Sequence, residues 1–151
     1  MALKPDRNIH FGSSVEYFMN EVAAPGIIVT HSSSASGAGM DDPNALVQIP
    51  TGTGDGLAAG LLLSRMVSKD LTQTHQNAHN GEEQIGGKVT VVTRGWVVTN
   101  MIKSGETPAA GEPAYFDANG ELTSTAGSAQ IGVWKSAKDA DGYAKVAITV
   151  E

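Results

Sequence analysis

The chain contains no cysteine. That absence excludes a disulfide framework, a thiolate zinc site and a cysteine nucleophile. Charge is scarce too. Only 17% of residues are Asp, Glu, Lys or Arg, against about 25% in an average domain. The balance leans negative, with Lys+Arg 10 and Asp+Glu 16 for a net charge of −6. Such a chain is poorly suited to hold nucleic acid electrostatically. Aromatic residues make up 5%. Long apolar runs are missing: the longest, residues 56–67, is broken by Gly60, Ser64 and Arg65. A bilayer span needs about 20 apolar residues, so no membrane helix is expected. The start of the chain lacks a charged-then-apolar leader pattern, and a non-secreted protein is expected. What is abundant is glycine, 18 of 151 residues, or about 12% where about 7% is usual. Glycine and β-branched residues disfavour long helices, which argues against a helical bundle or coiled coil. The length fits one domain.

The chain reads in three parts. Residues 1–24 are dense in apolar side chains, with Ile9, Phe11, Val15, Tyr17, Phe18, Met19 and Val22. Val15, Phe18, Met19 and Val22 stand at i, i+3, i+4 and i+7, a spacing that allows one or two helical turns. The segment is open to two readings: an element packed on its own domain, or an extended arm packed on a neighbouring subunit. In residues 25–86, short strands are expected at 27–30 and 45–49, separated by small-residue loops. Residues 57–67 have both helical and extended readings; Gly56 and Gly60 tip the balance toward a buried extended segment. Residues 70–84 are polar and aperiodic, a long surface loop. The third part, 87–151, carries the clearest β signal. KVTVVT (88–93) and GWVVTN (95–100) read as two runs with Arg94 as an exposed turn residue between them. Asp117-Ala118-Asn119-Gly120 and Asp139-Ala140-Asp141-Gly142 read as hairpin turns. Residues 143–150 alternate strictly, with Ala144, Val146, Ile148 and Val150 on one face and Tyr143, Lys145, Ala147 and Thr149 on the other. The fold expected is all-β: a small β-barrel or sandwich of short antiparallel strands.

The search for reaction chemistry yields little. His75 and His79 sit four apart, but the intervening Gln76, Asn77 and Ala78 lack the glutamate of a zinc-protease motif, and Asn80-Gly81 breaks any helix. Glu82 and Glu83 are conceivable further ligands, yet a solvated loop is the better reading. The glycine-rich stretch 52–60 lacks the Gly-Lys-Ser/Thr end of a phosphate loop, and Asp55 would repel a phosphate. Ser32, Ser33, Ser34 and Ser36 have no Gly-x-Ser-x-Gly elbow. Asp41, Asp42 and Asp55 lack EF-hand spacing. Trp96 and Trp134 each sit in a β run and suit packing in a core or interface. No catalytic residue, cofactor or metal site is expected, and an interaction or structural protein is favoured over an enzyme.

The order of motifs is itself informative. IGGKV (85–89), GWVVTN (95–100), GEPAY (111–115) with Asp117 and Gly120, Gly132 in the strand IGVW, and the closing alternating strand follow in turn. This pattern resembles the head decoration, or cement, proteins of tailed bacteriophages over most of residues 25–151, and more loosely over the first 24. The resemblance implies a β-rich domain on the outside of an icosahedral shell. It implies a homotrimer at threefold and quasi-threefold positions that staples neighbouring major capsid subunits, with no catalytic residues. The partners implied are the major capsid protein and the chain itself, without nucleic acid or membrane. In that setting residues 1–24 are expected as an arm for inter-subunit contact, anchored by Ile9, Phe11, Tyr17, Phe18 and Met19, and residues 25–151 as the decoration domain. Aromatic and Met side chains are enriched at interface cores. Deleting residues 1–20 is then expected to weaken attachment or trimerisation more than folding. The alternatives are a tail or baseplate β module, or a glycan- or ligand-binding barrel with Trp96, Trp134 and Tyr115 at its mouth.

Overall fold

The computed structural model describes residues 3, 10–34, 37, 45–52, 57–65 and 85–150, with the backbone alone at 10, 11, 64 and 65. Nine strands follow in chain order: β1 His10–Met19, β2 Ile28–Ser32, β3 Leu46–Gln48, β4 Ala58–Arg65, β5 Lys88–Thr99, β6 Pro113–Phe116, β7 Leu122–Thr123, β8 Gly132–Trp134 and β9 Ala144–Thr149. No helix occurs among the described residues. The all-β expectation holds, and residues 58–65 are extended as the glycine content suggested. The helical turns allowed at residues 15–22 do not form, because Ser14 to Phe18 pair residue for residue with Val92 to Lys88 of β5.

The strands lie in the order β1-β3-β2-β4-β5-β9-β8-β6-β7, and β1 also pairs with β5. The first five strands therefore close into a ring. A ring with an odd number of strands cannot alternate direction all the way round. One neighbouring pair must be parallel, and here it is β1 with β3, joined at Phe18↔Leu46 and Met19↔Val47. The other strand pairings are antiparallel, as expected. The ring's interior is filled by Met19, Val29, Val47, Leu62, Val89 and Val91, with Tyr17 packed partly against them.

Alternation along β2 and β4 builds a second core. Val29 and Leu62 point into the ring, while Ile28 and Leu61 point out. The outward pair packs with Val97, Phe116, Leu122, Trp134, Val146 and Ile148 from the β5–β9–β8–β6–β7 extension. Each such side chain contributes roughly 1.5–3 kcal/mol when fully buried. β9 behaves as its pattern demands: Ala144, Val146 and Ile148 are buried and the alternate residues are not.

β5 runs unbroken through the predicted turn at Arg94. Val89, Val91 and Val92 pair with β4, and residues from Arg94 onward pair with β9. Gly95, at φ 153°, lies where one partner gives way to the other. That backbone conformation is open chiefly to glycine, so the chain bends there without breaking the strand. The two hairpin turns form as read and share one design. The Oδ1 of Asp117 accepts the amides of Asn119 and Glu121, and the Oδ1 of Asp139 accepts those of Asp141 and Tyr143.

Candidate interaction surface

The residues expected to anchor an arm fall in different places. Ile9 lies outside the described residues, and Phe11 is placed only as a backbone partner of Gly95. Met19 is 0% exposed and belongs to the chain's own barrel core. It is unavailable to a partner. Tyr17 is half-buried, its ring edge-on to His31 at 5.5 Å between centroids. Phe18 is also half-buried, beside Lys88 on β5 and Leu46 on β3. Residues 10–19 are thus a strand of the same sheet as the rest, and the boundary after residue 24 does not separate two structural units. The large apolar side chains that its described residues leave to solvent are Val15 and Val22, at 42% and 39%, beside the ion pair between Glu16 Oε2 and Lys88 Nζ at 2.5 Å.

His75, His79, Glu82, Glu83, Asp41, Asp42 and Asp55 lie outside the described residues. Among the described residues no three His, Asp or Glu side chains gather as a metal site would require.

Two polar features escaped the sequence reading. The first is a clamp at Glu106. Its carboxylate accepts the hydroxyls of Thr123, Ser124 and Thr125 and the amide of Ser124, tying the 103–106 turn to the end of β7. The Ser124 hydroxyl is the main cause that holds this carboxyl down at about 2. The second is the solvent face of the extension. Residues directly opposite in antiparallel strands project to the same side. Pro113, Val133, Ala147 and Trp96 therefore form one row across β6, β8, β9 and β5. Trp96 is 36% exposed, and the Lys145 ammonium sits 4.5 Å from its ring centroid. Arg94, Lys135 and Lys145 line the same shallow groove of about 600 Å³. The strict alternation of 143–150 put Lys145 on the outer face. Its meeting with Trp96 depends on the β5–β9 register, which no local pattern reports.

These features define a class: a small all-β domain, with a filled barrel, a flanking sheet and polar and aromatic features on its outer face. The family model for the XM1 gp53 minor capsid protein matches residues 10–150, from the first residue of β1 to just beyond β9. The chain belongs to this family, and it is a structural, virion-associated protein of the phage capsid. No curated protein matches the chain significantly.

Proposed function

We propose that this chain is a cement protein: it binds the exterior of the icosahedral shell as a homotrimer at threefold and quasi-threefold positions and staples neighbouring major capsid subunits. It acts by contact alone, without a catalytic step. The observation that carries this reading is the extent of the family match, which runs through all nine strands. The capsid role therefore attaches to the whole domain and not to an appendage. Three further features support it. The net charge of −6 suits an exterior position better than one against packaged DNA. The barrel lumen is packed with Met19, Leu62 and valines, and Trp134 is buried, which leaves little for a ligand-binding barrel to use. The motif order resembles that of decoration proteins.

The test is light scattering of the purified protein, with co-sedimentation on empty shells of the matching major capsid protein. A trimer that sediments with shells and raises their melting temperature is expected. A protein that ignores shells but assembles rings by itself would turn the reading toward a tail or baseplate module.

A further inference from the structure

We propose that the solvent face of β5, β9 and β8, centred on Trp96 and bordered by Arg94, Lys135 and Lys145, docks an acidic segment of the shell protein. The inference rests on the cement reading above and names the surface that would do the binding.

The argument starts from charge. The chain carries ten Lys and Arg against sixteen acids, yet three of those ten cations border one groove. Trp96 and Ala147 supply an apolar floor within it, and Val133 and Pro113 continue the same row across β8 and β6. Tryptophan and arginine are the residues most enriched at binding hot spots. A partner that buries this floor must also bring carboxylates to the cations, or they are desolvated unpaired. An acidic segment with an apolar side chain meets both conditions. Face-to-face pairing of two copies does not, because it would bring two clusters of cations together. A nucleic acid meets the charge condition locally, but its phosphates would approach a molecule of net charge −6.

Backbone pairing offers no competing route among the described residues. Every strand of the ring has a neighbour on both sides. The last strand, β7, is two residues long and is bridged on its outer side by Ile102. Recognition on this side of the molecule must therefore use side chains.

The experiment compares wild type with the double variant Lys135→Glu, Lys145→Glu and with Trp96→Ala, by co-sedimentation on empty shells at several salt concentrations. Expected are a loss of affinity of about tenfold or more in each variant and a wild-type affinity that weakens as salt rises, with trimer mass and melting temperature unchanged. A label-based readout needs no substitution. The chain has two tryptophans, and Trp134 is fully buried. Acrylamide quenching of 5-hydroxytryptophan incorporated in the wild type therefore reports Trp96, and quenching should fall on shells. Variants that bind like wild type, with quenching unchanged, would overturn the docking face and leave the cement reading standing. Wild type that does not sediment with shells would overturn both. Variants that lose the trimer would assign the face to a second copy, and wild type that retards duplex DNA where the variants do not would assign it to nucleic acid; either result defeats the proposal.

Discussion

Trp134 is the largest fully buried side chain, yet its indole N–H finds no acceptor among the described residues. A buried donor without a partner costs about 1–3 kcal/mol. Trp134→Phe removes that donor and leaves a modest void, two effects of opposite sign. The net change is expected to stay within about 1 kcal/mol in a urea midpoint measurement, whereas Trp134→Ala should cost about 3–5 kcal/mol. Glu106 makes a different case. Its folded pKa of about 2 lies below the ordinary 4.5. A depressed carboxyl contributes stability above its unfolded pKa and loses it as pH falls through its folded one. The Glu106 contribution is therefore complete above about pH 4.5 and disappears toward pH 2. At a site this open to water it is about 1 kcal/mol or less. Melting temperatures between pH 2 and 5 should fall less steeply with acid in Glu106→Gln than in wild type. Neither residue's role was legible beforehand. Trp134 showed its burial in a β run but not its unmet donor, and Glu106 gains its partners from residues 17 to 19 positions away.

Strands were legible where local chemistry decides and obscure where partners decide. The turns at Asp117 and Asp139 were readable because an aspartate accepting nearby amides, followed by glycine, needs nothing from elsewhere. β9 was readable because one face is buried and the period is two. Residues 15–22 misled because a helical spacing of apolar residues arose by chance: Val15, Phe18 and Met19 lie in β1 and Val22 beyond its end, and of the four only Met19 is fully buried. β5 misled because Arg94-Gly95 has turn composition, and only the switch from β4 to β9 explains why the strand continues. β8 offers a sharp test of such close packing. A Cβ on Gly132 would be driven into the backbone carbonyl of Ala147 on β9. Backbone cannot rotate away as a side chain can, so β8 must separate from β9. Gly132→Ala is expected to cost about 3 kcal/mol or more, visible as a large drop in melting temperature, while Gly127→Ala, with open space around it, should change little.

The arrangement of the whole molecule was the least legible level, since strand order rests on pairings between residues far apart in sequence. β1 shows this most clearly. Read alone, it is an apolar terminal segment equally suited to a neighbour or to its own domain. In the fold it closes the ring, pairing with β3 on one side and β5 on the other, and it delivers Met19 to the barrel core. Its removal would open the ring, leave the edges of β3 and β5 unpaired, and expose Val47, Val89 and Val91. Unpaired edges beside exposed apolar residues invite aggregation. Deleting residues 1–20 is therefore expected to abolish cooperative unfolding and yield aggregated protein, contrary to the outcome expected from an arm. Deleting residues 1–9 stops short of β1 but takes away Leu3, which is buried in the second core and bridged to Thr99: circular dichroism should keep its β signature while the melting temperature falls by the loss of one core leucine. Shell binding by that shorter deletion, measured well below its own melting temperature, then reports what the terminal residues contribute to attachment, with β1 and the closed ring still in place.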